Sequence, residues 1–130
     1  MLKPTNTDYL FKFSIVTAVY NVEAYLSEAI DSILSQDIGF IESVELILVD
    51  DGSTDASGAI CDEYQHKYPE NIVVIHKPNG GVASARNAGI AVARGRYVNF
   101  MDSDDKLTPD TLSSVYDFFI EHDKEVDLVS

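Results

Sequence analysis

Short apolar runs alternate along this chain with longer segments in which apolar residues recur at helical spacing. Residues 13–19, 44–49, 71–76 and 97–101 are apolar and rich in β-branched side chains, which predicts four buried strands, and residues 125–130 begin a fifth. The resulting order is βαβαβαβαβ. It predicts an α/β, Rossmann-like fold with a predominantly parallel sheet and helices on both faces. The first helical face carries Val22, Tyr25, Leu26, Ala29, Ile30, Ile33 and Leu34.

Capping residues mark the ends of these helices. Asn21 is predicted to cap the first helix, and Ser53 or Thr54 to cap the second. Residues 82–94 are small and alanine-rich, so we expect a helix that packs close to its neighbour, with Gly95 as its C-terminal cap.

The charge balance limits the partners that the protein can have. With 22 acidic and 9 basic residues in 130, the formal charge is −13, which argues against nucleic-acid binding. An anionic ligand would need a local cation, a helix N-terminus or a metal ion. The length suits one core. We expect an N-terminal extension over residues 1–12 and one domain over 13–130, which we expect to be truncated before a further segment.

The single cysteine and the histidines point to no metal or disulfide framework. Cys61 alone cannot form a disulfide within the chain and fits a buried helical position. His76 ends a strand, while His66 and His122 lie near helix C-termini, so all three are assigned structural or solvent roles. Without a targeting segment or a long apolar run, a cytoplasmic location is expected, with peripheral association at the inner face of the membrane left open.

Distinctive polar clusters follow each of the first four predicted strands. They cover residues 17–21, 50–55, 79–87 and 102–105. Because the carboxyl ends of parallel strands meet at one edge of a sheet, where ligands bind in such folds, we expect the clusters to form one site. Turn and cap chemistry accounts for much of each cluster taken alone.

Two of these clusters carry candidate groups for an anionic ligand. Turn chemistry explains the paired Asp50 and Asp51 poorly; one acid can cap the turn, and the other can accept a hydrogen bond from a base or a ribose hydroxyl. Arg86 lies about one turn into a helix that follows a glycine turn, a favourable place for an anion. The turn matches neither a P-loop nor the GxGxxG fingerprint.

The last cluster favours a metal ion. Asp102, Asp104 and Asp105 follow an apolar strand directly, and three carboxylates in four residues suit a hard divalent cation. Oxygen ligands select Mg²⁺ or Mn²⁺. The alternative is a solvated turn before the next helix.

Taken together, the clusters resemble the donor-binding half of a glycosyltransferase family 2 enzyme with the GT-A fold. The resemblance runs from residue 13 to 129 through FSIVTAVYNVEAYLSEAIDSILSQ, ELILVDDGSTD, NGGVASARNAGI and GRYVNFMDSDDKLTPD. It implies a nucleotide-sugar donor, expected to be a UDP-sugar, and transfer with inversion to a saccharide or lipid-linked acceptor. It also implies a role in cell-surface polysaccharide or glycolipid synthesis.

The resemblance also implies roles for individual residues. Those expected at the nucleobase are Thr17, Val19, Tyr20 and Asp51, with Arg86 near the base or the phosphates.

In the same family pattern Asp102 and Asp104 are the acids of the DxD element, with Ser103 between them in the donor site. Asp104 would bind Mn²⁺ or Mg²⁺ directly, and Asp102 would act through ribose or water. The general base that activates the acceptor is expected beyond residue 130.

Three other interpretations remain. In the first, the chain holds a nucleotide sugar without turning it over, because the general base and the acceptor site are expected elsewhere. A haloacid-dehalogenase-like phosphotransferase also has a DxD element, but after its first strand. A sugar nucleotidyltransferase would carry a glycine-rich basic loop after strand one, where this chain has TAVYNVEAY.

Overall fold

Strands and helices alternate along the part of the chain that the structure, a computed structural model, describes, which is residues 9–122. The elements are β1 (Phe11–Val19), α1 (Leu26–Leu34), α2 (Phe40–Ser43), β2 (Val44–Asp51), α3 (Ser57–Lys67), β3 (Ile72–Lys77), α4 (Val82–Val92), β4 (Gly95–Phe100) and α5 (Thr111–His122).

The four strands form one parallel sheet in the order β3-β2-β1-β4. The chain winds outward from β1 to β3 and then crosses back to place β4 on the other side of β1. This reversal is a topological switch point, where open α/β sheets leave a crevice at the carboxyl ends of their strands.

Each face of the sheet has its own apolar core. On one face α1, α3 and α5 pack against alternate strand residues, for example Phe13, Ile15 and Leu46. On the other face Ala85 of α4 packs against Val16 and Ile47. The predicted α/β class, with a parallel sheet and helices on both faces, is confirmed.

Several local predictions differ from the structure. β1 begins at Phe11, inside the predicted extension, and the short helix α2 precedes β2. Gly95 does not cap α4; it opens β4, and its N–H donates to Ser14 Oγ at 2.8 Å. The fifth strand, over residues 125–130, lies outside the described residues.

A buried glutamate ties three strands together at the end opposite the crevice. Glu45 of β2 is fully buried and accepts hydrogen bonds from Ser14 Oγ of β1 and from the backbone N–H and Nε of Arg94. The Arg94 bonds anchor the residue just before β4. Paired in this way, the carboxylate sets the relative positions of β1, β2 and β4.

No helix within residues 9–122 has both the length and the hydropathy to cross a membrane.

The small residues of α4 let this helix lie close to the sheet. Gly89 is buried, and a Cβ added there would clash with Cγ1 of Val16, which is itself buried. The close packing predicted for this alanine-rich segment is therefore observed, and it sets the position of the helix that carries Arg86.

We expect Gly89→Ala to destabilise the fold by about 1–2 kcal/mol, because the clash with Val16 outweighs the gain in helix propensity. Urea unfolding followed by circular dichroism measures this change. Asn87→Ala, at an exposed position of the same helix, is the matched control and should change stability by less than about 0.5 kcal/mol. Equal stability of the two variants would contradict the close packing.

Candidate functional site

A cavity of about 420 Å³ opens at the carboxyl edge of the sheet, at the switch point. Its volume lies in the range of small-molecule sites. All four predicted clusters contribute to its lining, which consists of Ala18, Tyr20, Val22, Asp51, Asn79, Gly81, Val82, Arg86, Met101, Asp102, Ser103 and Asp104.

Hydrogen bonds join the loop after β1 to the loop after β2. Asn21 Oδ1 accepts from the N–H groups of Thr54 and Asp55 at 2.8 and 3.3 Å, and Asn21 N–H donates to Ser53 Oγ at 3.1 Å. Asn21 therefore does not cap α1, as the sequence had suggested. It adopts φ 49°, a left-handed conformation that Asn tolerates better than most residues. The first two motifs form one structural unit.

The paired acids at the end of β2 each have a basic partner directly opposite on β3. Asp50 lies in register with His76, and Asp51 with Lys77. Lys77 Nζ donates to Asp51 Oδ1 at 2.8 Å, while the backbone N–H groups of Gly80 and Gly81 donate to Asp51 at 2.9 Å each.

The partners of Asp51 keep this buried carboxylate charged. The hydrogen bond from Lys77 outweighs burial and, with those from Gly80 and Gly81, holds the pKa of Asp51 below its usual value. Asp51 can thus accept a further hydrogen bond from a ligand in the cavity while its other lone pairs hold the glycine turn in place.

Gly52 allows the turn after β2 to approach the third cluster. It has φ +77°, and a Cβ there would lie 2.7 Å from the backbone nitrogen of Asn79. Asn79 Nδ2 in turn donates to the backbone oxygen of Asp51 at 3.0 Å. Any larger residue at position 52 would push Asn79 away from the cavity wall.

The acids after β4 have a different environment. Asp102, Asp104 and Asp105 are exposed, and one carboxylate oxygen from each lies within 4.8 Å of the others. Three convergent oxygens of this kind suit Mg²⁺ or Mn²⁺. Ser103, between them, is 8% exposed.

Arg86 supplies positive charge beside this acidic cluster. Its guanidinium lies 5.0 Å from the centre of the Phe100 ring and 3.8 Å from Asp102 Oδ1. Arg86, Met101 and Asp102 also line a second cavity of about 360 Å³, so Arg86 lies where the two cavities meet.

A buried glutamine at the end of α1 holds the segment that follows the acids. Gln36 Nε2 donates to the backbone oxygen of Thr108 at 2.6 Å, and Gln36 Oε1 accepts from Leu112 N–H at 2.9 Å. Ser32 Oγ accepts from Leu107 N–H at 3.0 Å. The acidic loop is thereby fastened to α1 without using its carboxylates.

Comparison with known proteins identifies the family. The model of the family "Glycosyl transferase family 2" matches residues 14–130. The chain belongs to glycosyltransferase family 2.

Curated relatives of this family 2 chain are much longer proteins. It is 52% identical over 120 residues to "Minor teichoic acid biosynthesis protein GgaB" of Bacillus subtilis, covering 92% of this chain and 13% of GgaB. It is 42% identical over 119 residues to the "Poly(ribitol-phosphate) beta-glucosyltransferase" of Bacillus spizizenii, covering 90% of this chain and 18% of that protein.

A solved structure confirms the fold class. The crystal structure of S. aureus TarS 1-349 in complex with UDP matches with a TM-score of 0.78 and 35% identity, covering 87% of this chain and 33% of that one. The crystal structure of TarS 1-349 in complex with UDP-GlcNAc matches this chain equally well, with a TM-score of 0.78.

The structure brings most of the predicted site residues of this glycosyltransferase chain together, but not two of them. Thr17 and Val19 do not line the cavity; they are 2% and 0% exposed, and Val19 belongs to the core on the α1 face. Because side chains alternate along a strand, Ala18 and Tyr20 face the cavity instead. Strand alternation separates Thr17 and Val19 from Ala18 in any fold, but the face that lines the cavity is decided by the packing of the sheet.

Other lining residues were missed because they carry no chemistry that distinguishes them. Val22, Val82 and Met101 are ordinary apolar residues of the cavity wall. Asn79 and Gly81 were noted only as part of a turn.

We expect Asn21→Ala to destabilise the protein by about 2–3 kcal/mol, because it removes an acceptor and places alanine at positive φ. Asn21→Gly loses the same acceptor without that backbone penalty, so its loss should be about 1 kcal/mol smaller. Denaturant unfolding of both variants measures the difference. If glycine were no better than alanine, the left-handed conformation of residue 21 would be contradicted.

Proposed function

We propose that this chain binds the donor of a glycosyl transfer, a UDP-sugar with Mn²⁺ or Mg²⁺. In the whole protein, we propose, the sugar passes with inversion to a hydroxyl of a cell-surface polymer. The observation that carries the proposal is the single cavity with Asp51 on one wall and Arg86 and the acidic cluster on another.

The two walls suit the two ends of a nucleoside diphosphate. On one wall, Asp51 can accept a hydrogen bond from a base N–H, and the exposed ring of Tyr20 offers a surface for the base. On the other, Arg86 can donate to the diphosphate. Such a division matches the residues that the family resemblance implies. TarS 1-349, of which this chain covers 33%, was crystallised with UDP, and this supports uracil as the base of the donor.

The acidic cluster fits a divalent cation. Its carboxylates converge within 4.8 Å, are exposed, and have Arg86 at 3.8 Å from one of them as a nearby cation. Asp102 and Asp104, with Asp105 adjacent, would hold the ion. A cation bound there stabilises the negative charge of the leaving diphosphate.

Residues of this chain would then bind and orient the donor. Arg86, stacked on Phe100 between the two cavities, would draw the diphosphate toward the loop after β4. Asp51, held by Lys77 and the glycine turn, would fix the base at the other end. A long ligand held at both ends presents its sugar in one orientation, which an in-line displacement requires.

The names of the relatives suggest the class of acceptor. GgaB is named for minor teichoic acid biosynthesis, and a second relative for glucosylation of poly(ribitol-phosphate). We propose a hydroxyl-bearing cell-surface polymer of this anionic kind as the acceptor of the whole protein.

In a thermal melt, we expect Mn²⁺ to stabilise the chain and UDP to stabilise it further only when Mn²⁺ is present. At a hundred times the dissociation constant, a ligand adds about 2.7 kcal/mol. GDP and ADP serve as base controls and should give smaller shifts. Asp104→Asn should remove the metal-dependent part and leave the ligand-free melting temperature unchanged or slightly higher, because one repelling charge is gone.

Asp117→Asn, at an exposed aspartate of α5, is the matched control and should keep the full response. A full response in Asp104→Asn would exclude Asp104 as a metal ligand. If the unmodified chain showed no shift with any nucleotide, the donor-binding proposal would be wrong.

A further inference from the structure

His76 lies between two carboxylates outside the cavity. Its Nδ1 is 2.8 Å from Asp50 Oδ2, and its Nε2 is 2.8 Å from Asp62 Oδ1. Only the imidazolium can donate from both nitrogens at once. His76 does not line the cavity described above, so any effect it has on a ligand must pass through another residue.

The two carboxylates at His76 come from two elements. Asp50 lies on β2 and Asp62 on α3, where Asp62 follows the buried Cys61. On β3 itself, the neighbouring Lys77 is engaged by Asp51. Helix α3 lies close to the Asp50 carboxylate: a Cβ added at Gly58 of this helix would be 2.8 Å from Asp50 Oδ2.

The charges around His76 favour its protonated form. The hydrogen bond with Asp50, then that with Asp62, raises the pKa of His76 despite partial burial. Burial acts to raise the pKa of Asp50, but hydrogen bonds with Ser53 and His76 outweigh it and lower that pKa. Burial, aided by the charges of Asp50 and Asp62, raises the pKa of Cys61 to about 12, so the thiol stays neutral.

Asp50 connects His76 to the cavity wall. Asp50 Oδ2 is hydrogen-bonded to the imidazole of His76, and Asp50 Oδ1 accepts a hydrogen bond from Ser53 N–H at 3.0 Å. Ser53 Oγ in turn accepts a hydrogen bond from Asn21 N–H. Asp51 follows Asp50 directly, and Tyr20 precedes Asn21; both line the cavity. A shift of the Asp50 side chain would therefore reach both residues.

We propose that His76 is a positioning residue for donor binding, which acts through Asp50 on the turn that carries Asp51 and Ser53. The inference rests on the proposed function, since the ligand whose affinity it controls is the donor nucleotide. The Nδ1 side matters most: the Asp50 side chain is 9% exposed and has little water to replace a lost donor, whereas that of Asp62 is 58% exposed.

The direction of the pH dependence follows from the raised pKa of His76. Below the pKa of His76 in the unfolded chain, about 6.5 for a free histidine, the imidazolium donates to both acids. Its contribution to holding them in place is lost as the pH rises through the higher pKa that His76 has in the folded chain. The remaining proton then stays on Nδ1, facing the buried Asp50. Donor affinity should therefore fall with rising pH, but by less than when the imidazole is removed.

The test is calorimetric titration of UDP, with Mn²⁺ present, into the unmodified chain, three His76 variants and two further variants, at pH 6. His76→Ala should weaken binding about tenfold, a modest coupling between neighbouring sites. In His76→Asn the amide nitrogen is bonded to Cγ, as Nδ1 is, so affinity should return to within about threefold of the unmodified chain. His76→Gln, whose amide nitrogen matches Nε2, should resemble alanine.

His66→Ala, at an exposed histidine of α3, is the control and should leave the affinity unchanged. Asp62→Asn removes one of the two carboxylates that raise the pKa of His76. The pH at which UDP affinity falls should therefore be lower in this variant, while its UDP affinity at low pH should be unchanged. An affinity of His76→Ala within twofold of the unmodified chain would overturn the inference, as would rescue by glutamine equal to that by asparagine.

A second readout separates this inference from the proposed function. In the nucleotide-free chain, amide hydrogen exchange at Ser53 should be about tenfold faster in His76→Ala than in the unmodified chain and restored in His76→Asn. If the unmodified chain bound no UDP, the proposed function would fail, and Ser53 exchange alone would decide the positioning role. If amide exchange at Ser53 were unchanged in His76→Ala, the positioning role of His76 would be overturned.

Discussion

Asp50 and Asp51, two adjacent buried carboxylates at the end of β2, need hydrogen-bond donors and positive charge from the residues around them. Burying such charges without partners costs on the order of several kcal/mol each. The parallel register places His76 and Lys77 directly opposite Asp50 and Asp51, and the backbone of the glycine turn and of Ser53 supplies further donors. The conformations of the loops after β2 and β3, which form one side of the cavity, follow from these hydrogen bonds.

The site thus contains two kinds of aspartate, and their partners distinguish them. Asp50 and Asp51 are buried, hydrogen-bonded and held charged, so they shape the wall of the cavity. Asp102, Asp104 and Asp105 are exposed and converge on one another, which leaves their oxygens available for a ligand. In a chain of charge −13, a bound cation would reduce the repulsion among these carboxylates. The same ion would neutralise part of the negative charge of the diphosphate that we propose as ligand.

Predictions from the sequence succeeded where local pattern and burial agree. The parallel sheet, the helices on both faces and the close packing of α4 follow from periodicity and residue size, because strands and helices bury their apolar faces in the same way in most folds. Predictions failed where a polar side chain had several possible partners. Asn21 looked like a helix cap, yet it serves the loop after β2, since its best donors are 33 residues away along the chain.

Within residues 9–122, the sequence by itself determined the four strands, the four longer helices, the family and the four polar clusters, because these depend on residue types and spacings along the chain. Only the tertiary structure decided which side chains face the cavity, replacing Thr17 and Val19 by Ala18 as the neighbour of Tyr20. It also decided that His76 lies between Asp50 and Asp62. Hydrogen bonds between residues distant in sequence depend on strand register and on the closeness of helix and sheet, and no local pattern contains that information.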